Sequence, residues 1–159
     1  YKSGKYTIER PLNLGALLAA PTRGDELIPV VSTYGLPLGD AFQMRDDVLG
    51  AFGDTAITGK PVGDDLREGK PTPLMAIATA RANAAQLKEL QRVGNHDLSV
   101  DDIARIQEVI RETGALDELE VVITRLTDEA IAAVHNVPFE KSVRDELITL
   151  AEYVSWRTV

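Results

Sequence analysis

Apolar residues recur every three or four positions through the last third of the chain, a pattern typical of helices that bury one face. A capping-box pattern, Ser99 followed by Asp102, opens the first predicted helix, and Gly114 ends it. Pro138 separates the two helices that follow. The apolar faces consist of Ile103, Ile106 and Ile110 in the first helix, Leu119, Val122, Ile123, Leu126 and Ala130 in the second, and Val143, Leu147, Leu150, Ala151 and Val154 in the third.

Two further helical segments are predicted upstream. Residues 74–93 are rich in alanine and follow Pro71 and Pro73, which suit the entry to a helix. Residues 6–20 form another candidate, with Pro11 at or near its start. Because period-two alternation is almost absent, no sheet is expected, and the predicted fold class is all-α, a helical bundle.

The composition is that of one globular domain and disfavours several classes of function. The chain has 159 residues, 44% of them apolar and 26% charged, which is enough to bury a core. It contains no cysteine, which excludes a disulfide framework and a thiolate zinc site and fits a cytoplasmic protein. A formal net charge of −8 argues against general nucleic-acid binding. No run approaches the ~18 apolar residues of a transmembrane segment, and no signal peptide is visible.

An acidic face without lysine is predicted on a helix over residues 39–54, GDAFQMRDDVLGAFGD. Salt-bridged surface helices usually alternate the two signs of charge, whereas carboxylates at one-turn spacing suit hard cations such as Mg²⁺. The glycines would leave room for a bulky ligand. From this stretch alone, the acidic face could be either a solvated surface or a cation site. At about 100° per residue, the residues that share this face are Gly39, Gln43, Asp46, Asp47 and Gly50, with Asp54 further on.

A loop predicted between Thr55 and Pro73 contains GKPVGDDLREGKPT, which places Lys60 and Lys70 among glycines. Lysine is a point charge suited to phosphate oxygens, and glycine lets backbone amides approach a ligand. The loop is not a P-loop, because five residues instead of four separate each Gly-Lys pair from the preceding motif glycine. A proline also follows each lysine, where a P-loop has serine or threonine. A plain connecting loop is the alternative, but acids beside lysines together predict a site for a Mg²⁺–diphosphate.

Three ordered motifs in this chain resemble those of the trans-isoprenyl diphosphate synthases, or polyprenyl synthetases. The family motifs K-S/T-G-x-Y-S/T, G-x-A-F-Q-x-x-D-D-x-x-D and G-K-x-x-G-x-D-L-x-x-G-K-x-T correspond here to KSGKYT, GDAFQMRDDVLGAFGD and GKPVGDDLREGKPT. The resemblance extends through the whole chain, which is similar to the carboxyl-terminal half of the family's single helical domain. It is most like the bacterial geranylgeranyl-type synthases. It implies the isoprenoid-synthase bundle and Mg²⁺-dependent prenyl transfer.

The resemblance also implies the substrates and the metal ligands. In the family, Mg²⁺ helps to ionise an allylic diphosphate, and the carbocation alkylates isopentenyl diphosphate. These two diphosphates are the expected substrates, and Mg²⁺ is the expected cofactor. By similarity, Asp46 binds the third Mg²⁺ with support from Asp47.

The remaining matched residues are assigned by the same resemblance. Lys2 and Lys60 are expected to hold the allylic diphosphate, with help from Lys70. Ser3 and Gln43 are expected to face the developing cation, where an oxygen dipole stabilises positive charge. The predicted catalytic set is Lys2, Ser3, Gln43 and Asp46, and the predicted diphosphate-binding set is Lys2, Lys60 and Lys70.

Two departures from the family pattern affect these expectations. The second aspartate-rich motif ends in Gly50 instead of an acid, and Asp54 could replace that acid in part through water. The first aspartate-rich motif and the residues for isopentenyl diphosphate lie upstream of Lys2 in relatives. We therefore expect residues 1–159 to be the carboxyl-terminal half of a homodimeric synthase whose amino-terminal half is missing here, and to be inactive alone. Product length cannot be read from this sequence.

Two other functions fit the same fold. A non-catalytic regulatory subunit of a prenyl diphosphate synthase could have lost acids, as Gly50 suggests, but the intact acids and lysines argue against it. A terpene cyclase is disfavoured by the loop that carries Lys60 and Lys70. His96 and His135 lie far apart in the sequence without metal-ligand spacing, so they are expected to be packing or surface residues.

Overall fold

The computed structural model describes residues 4–53, 62–135, 137 and 139–157, and this part of the chain contains helices but no strand, which confirms the all-α fold class. None of the helices in these ranges is long and apolar enough to span a membrane. The α-helices are α1 (Arg10–Ala19), α2 (Gly24–Phe52), α3 (Asp64–Glu68), α4 (Pro73–Arg81), α5 (Ala84–Leu90), α6 (Val100–Glu112), α7 (Ala115–His135) and α8 (Lys141–Trp156).

The chain folds as two compact units, the first of which comprises residues 1–45 and 122–157. Its buried core consists of Tyr34, Leu38, Ala130, Val134, Ala151 and Val154. The hydroxyl of Tyr34 donates a 2.7 Å hydrogen bond to the carbonyl oxygen of Leu147, and burial raises the pKa of Tyr34. A second buried bond, of 2.6 Å, joins the hydroxyls of Thr127 and Ser155. These bonds connect α8 to α2 and α7.

Part of the predicted apolar face of α8 remains accessible. Val143 and Leu150 are 44% and 37% exposed, whereas Ala151 and Val154 are buried as predicted. Val143 and Leu150 line an apolar groove of about 850 Å³ within the first unit, together with side chains of α1 and the first part of α2.

The second unit is built on residues 46–121 and is centred on α6. Ile103, Ile106 and Ile110 are at most 1% exposed, as their spacing predicts. The predicted capping box is present: Ser99 Oγ accepts from the Asp102 amide at 3.2 Å, and Asp102 Oδ2 accepts from the Ser99 amide at 3.0 Å. The side-chain bonds from Ser99 and then from Arg92 lower the pKa of Asp102 to about 2.

The segment 74–93 is two helices, not the one helix that its alanine content predicts. α4 ends at Arg81, and α5 begins at Ala84 after an extended Asn83. The side-chain oxygen of Asn83 accepts from the amides of Ala85 and Gln86, and Gln86 accepts from the Asn83 amide. This second capping box satisfies the first amides of α5, so a new helix starts there.

α2 begins at Gly24, well before the predicted start at Gly39, and it contains Pro29 and Pro37. A proline inside a helix costs about 3 kcal/mol, which disfavours this assignment from sequence. Burial of Tyr34 and Leu38 between and beyond the prolines offsets that cost, since both are at most 2% exposed.

The predicted loop between Thr55 and Pro73 also contains a helix. α3 is five residues long and lies between Gly63 and Gly69, whose φ angles are 69° and 67°. Left-handed φ values suit glycine at both ends of such a short helix. Residues 54–61, which include Asp54 and Lys60, lie outside the described ranges.

The helix that leads into α1 contains one π-helical turn, Lys5–Glu9, in which the Arg10 amide donates to the Lys5 carbonyl. Gly4 precedes this turn and lies against Gly39 of α2. A Cβ atom on Gly4 would be 2.6 Å from the carbonyl carbon and oxygen of Gly39. The prediction that Gly39 leaves room for a ligand is therefore wrong, because the backbone at Gly4 fills that space.

Candidate metal–diphosphate site

The last turns of α2 carry the two acids predicted to bind a metal. Asp46 is half-buried, and Asp47 is only 3% exposed. Lys70 follows α3, and its Nζ lies 3.5 Å from Asp47 Oδ1. An acid of the aspartate-rich motif and a lysine of the glycine-rich loop are therefore in contact, as the hypothesis of a joint site requires.

A third residue, Asp65 of α3, belongs to the same cluster and was not among the predicted site residues. Its Oδ2 accepts a 2.8 Å hydrogen bond from Lys70 Nζ, and Asp65 is 7% exposed. The sequence contains a signal for it, since Asp65 matches the acid of the motif G-K-x-x-G-x-D-L-x-x-G-K-x-T.

The two carboxylates keep the Lys70 ammonium charged. Partial burial lowers the pKa of Lys70, but the hydrogen bond and charge of Asp65, together with the charge of Asp47, outweigh it and raise the pKa above its usual value. Lys70 remains 40% exposed, so the same ammonium is accessible from solvent. The Lys70 ammonium can therefore contact both carboxylates and also bind an anionic ligand from solvent.

The backbone around α3 fixes the position of Lys70. Its amide donates to the Asp65 carbonyl at 3.1 Å across the left-handed Gly69. Gly69 packs on Gly94, since a Cβ on Gly69 would lie 2.8 Å from the Gly94 Cα. The Gly94 amide in turn donates to the Leu66 carbonyl at 2.9 Å.

Gly50 faces a protein carboxylate and does not leave room for a ligand, contrary to the prediction. A Cβ atom on Gly50 would lie 2.2 Å from Oδ2 of Asp65. In this structure the Asp65 carboxylate packs against α2 at Gly50.

Of the other predicted site residues, Gln43 lies within the described ranges. Gln43 lies on α2 within the first unit and is half-buried. Lys2, Ser3 and Lys60 lie outside the described residues, so their assigned roles stay predictions. His96 and His135 are exposed, which agrees with the surface alternative for these two residues.

The acids fit a magnesium ion that is shared with a ligand better than a metal caged by protein. Within the described ranges, no group of three or more His, Cys, Asp or Glu side chains is placed to hold a metal ion. Mg²⁺ in phosphate-processing sites usually has one or two carboxylate ligands, with water and substrate phosphates completing its shell. Half-buried Asp46 is the more accessible ligand, because Asp47 is buried and bridged to Lys70.

Comparison with known proteins identifies the family. The family model for polyprenyl synthetase matches residues 1–112. The chain belongs to the polyprenyl synthetase family. Its relatives include the geranylfarnesyl diphosphate synthase of Aeropyrum pernix, 36% identical over 143 residues that cover 90% of this chain and 43% of that protein. Another relative, the geranylgeranyl diphosphate synthase of Saccharolobus solfataricus, is 33% identical over 84% of this chain and 40% of its own length.

Solved structures of the family share this fold. Geranylgeranyl pyrophosphate synthase from Corynebacterium glutamicum, in a complex with isoprenyl diphosphate and magnesium, matches with a TM-score of 0.92 and 45% identity. The match covers 99% of this chain and 44% of that one. The chain thus spans less than half the length of these relatives, and the resemblance inferred from the three motifs is confirmed at the level of the family.

Proposed function

We propose that the full-length protein is an isoprenyl diphosphate synthase, a prenyltransferase that condenses an allylic diphosphate with isopentenyl diphosphate. Membership of the polyprenyl synthetase family supports the reaction class. Relatives named as geranylgeranyl and geranylfarnesyl diphosphate synthases support a diphosphate substrate. The homodimer and the amino-terminal half implied by the resemblance stay predictions, as does the inactivity of residues 1–159 alone.

The observation that carries this proposal is the contact of Lys70 with Asp47 and Asp65. A plain connecting loop would not need a lysine bridged to two carboxylates that are each less than a tenth exposed. Carboxylates can bind a hard metal cation, and the accessible ammonium beside them can bind phosphate oxygens. Together they suit a metal-bound diphosphate, because the positive charge of the metal and the negative charge of the diphosphate must both be balanced.

The residues assigned by the motifs each have a simple physical role in the proposed reaction. Asp46, supported by Asp47, would hold Mg²⁺, which when bound supplies Lewis-acid neutralisation of the leaving diphosphate. Lys70 would donate hydrogen bonds to diphosphate oxygens while Asp65 keeps it in position. Gln43 would offer its amide oxygen to positive charge developing on the prenyl carbon.

The alternative of a non-catalytic subunit is disfavoured by the acids and the lysine that are present at the site. That alternative depends on Gly50 as a sign of decay in the acidic motif. The Asp65 carboxylate lies beside Gly50, so the site still has two buried carboxylates, Asp47 and Asp65, in contact with Lys70.

The direct test of the proposed function is a condensation assay on the full-length protein. We expect incubation with labelled isopentenyl diphosphate and farnesyl diphosphate to give a longer prenyl diphosphate, and chelation of Mg²⁺ with EDTA to abolish it. Geranyl and dimethylallyl diphosphates should be included as alternative allylic substrates. No labelled product with any of the three, from protein that is folded by circular dichroism, would contradict the proposal.

Lys60→Ala should raise the KM for the allylic diphosphate. The change removes one charge-assisted hydrogen bond, worth roughly 1.5–3 kcal/mol, so the expected rise is about tenfold or more. Steady-state kinetics with each substrate varied in turn would measure it. An unchanged KM for the allylic substrate, with the loss confined to isopentenyl diphosphate, would assign this lysine to the other substrate.

A further inference from the structure

The last turn of α2 follows directly after the acids of the candidate site and has little support within the helix itself. The final carbonyl groups of a helix have no partner in a following turn, and Gly50 is a poor helix former at this place. One of these carbonyls, that of Leu49, accepts a 2.7 Å hydrogen bond from the Gly53 amide. Because Asp47 lies about one turn before Ala51, fraying of this end would move the acids of the site.

Gln107 of α6 binds the end of this turn from outside the helix. Its Nε2 donates a 2.7 Å hydrogen bond to the carbonyl oxygen of Ala51, a residue that is only 2% exposed. A carbonyl that is shielded from water needs such a donor. About one turn further along α6, the guanidinium carbon of Arg111 lies 4.7 Å from the centre of the Phe52 ring. This cation–π contact also places a positive charge at the negative end of the α2 dipole.

α6 is a well-fixed support for these contacts. Its capping box is complete and its isoleucines are buried. α6 also contacts the start of α3, because a Cβ atom on Gly63 would lie 2.5 Å from Cγ2 of Ile103. Since α3 carries Asp65, the same helix supports both elements that bring carboxylates to Lys70. All of these residues lie within the second unit.

We propose that Gln107 is a positioning residue of the candidate site: its bond to α2 holds the last turn of that helix so that Asp46 and Asp47 keep the geometry in which they bind a Mg²⁺–diphosphate. Gln107 acts through the backbone of α2 and not on the ligand. Arg111 supports the same turn from its neighbouring position on α6. The identity of the ligand rests on the proposed function.

Positioning and general stabilisation by Gln107 have different consequences. Loss of a bond that only adds to the stability of the fold would increase the opening of all the helices in its cooperative unit. Loss of a bond that holds one turn in place would increase the opening of that turn alone and weaken the site beside it. Ligand binding would then order the turn again, because a ligand favours the state that binds it.

The experiment compares four variants of the full-length protein. Gln107→Met keeps the length of the side chain and removes the donor, and Gln107→Glu replaces the amide with a carboxylate of the same size. Gln107→Lys keeps an N–H donor on a side chain of similar length and is the rescue variant. Gln91→Met, at an exposed glutamine that follows α5, is the matched control for loss of an amide.

Two measurements are made on each variant after circular dichroism has shown that it is folded. Hydrogen–deuterium exchange followed by mass spectrometry reports the opening of residues 46–53, with residues 84–90 of α5 as a reference in the same unit. Thermal-shift titration with inorganic diphosphate in the presence of MgCl₂ measures binding without requiring turnover.

We expect Gln107→Met and Gln107→Glu each to raise exchange in residues 46–53 about fivefold and to weaken diphosphate binding about fivefold, the factor for one lost hydrogen bond between neutral groups. Exchange in residues 84–90 should stay within about twofold of the parent, as should both measurements on Gln107→Lys and Gln91→Met. In the condensation assay, the Mg²⁺ concentration that gives the half-maximal rate should rise about fivefold for Gln107→Met, while the rate at saturating Mg²⁺ changes less than about twofold.

The outcomes separate this inference from the proposed function. If Gln107→Met binds diphosphate as tightly as Gln91→Met, or if exchange rises equally in both regions, the positioning role of Gln107 is wrong even in an active synthase. The role is also wrong if Gln107→Lys is as weak as Gln107→Met, because the donated hydrogen bond is then not the cause. If the parent protein binds Mg²⁺–diphosphate but makes no product, the proposed function fails and the variants still decide the role of Gln107. If the parent does not bind Mg²⁺–diphosphate, both are overturned.

Discussion

Asp46→Ala in the full-length protein should lower the rate of prenyl transfer by about two to three orders of magnitude, the scale expected when a group that stabilises transition-state charge is removed. Asp46 is the accessible acid at the end of α2, whereas Asp47 is buried against Lys70. Its removal should weaken the hold on Mg²⁺ and leave the charge of the leaving diphosphate poorly balanced. Steady-state turnover measured across a Mg²⁺ titration would show both effects.

The controls for Asp46→Ala are Asp40→Ala and His135→Ala. Asp40 is a half-buried carboxylate on the same helix, and His135 is exposed at the end of α7. Both controls should keep turnover within about threefold of the parent, as is usual for substitutions away from a site. Equally mild effects in all three variants at saturating Mg²⁺ would show that Asp46 is not a metal ligand.

Lys70→Met should lower both diphosphate affinity and the free energy of unfolding. Methionine keeps an unbranched apolar side chain but leaves the buried Asp47 and Asp65 carboxylates without their shared ammonium. Removing one partner of a fully buried pair costs about 3–5 kcal/mol, and the 40% exposure of Lys70 reduces the expected cost to about 1–3 kcal/mol. Urea unfolding followed by circular dichroism would measure this difference.

The pH dependence gives Lys70→Met a second test. Because the pKa of Lys70 is raised in the folded state, its contribution is complete at neutral pH and is lost only as the pH rises through that raised value. The stability difference from the parent should therefore be constant around neutral pH and shrink in alkali. Lys88→Met, at an exposed lysine of α5, should show no such difference. Equal stabilities of the two variants at pH 7 would contradict a structural role for Lys70.

The sequence predicts the helices of the second half well because their signals agree with one another. In α6 the capping box, the apolar spacing and Gly114 all indicate the same boundaries. The break at Asn83 was missed although an Asn-x-x-Gln pattern marks it, because alanine on both sides favours a continuous helix. The early part of α2 was missed because local propensity penalises Pro29 and Pro37, whereas burial outweighs that penalty.

The sequence predicts which residues belong to the site, but it does not predict which of their side chains contact one another. The motifs identify Asp47 and Lys70 as site residues, and the structure places these two side chains in contact. Nothing in the spacing indicates that Asp65, on a short helix in a presumed loop, would pack against Gly50. Such a contact depends on how α3 folds back onto α2, which is a tertiary property that a linear motif does not encode.

The π-helical turn at Lys5–Glu9 is equivalent to an α-helical segment with one inserted residue. One residue corresponds to a rotation of about 100° around the helix axis. Gly4, which precedes the turn, is therefore rotated by that angle relative to α1, and it lies against Gly39. Deleting a single residue from the turn would point a different residue at α2, where only the absence of a side chain permits the approach. The number of residues in this segment, and not only their identity, therefore determines which residue contacts α2.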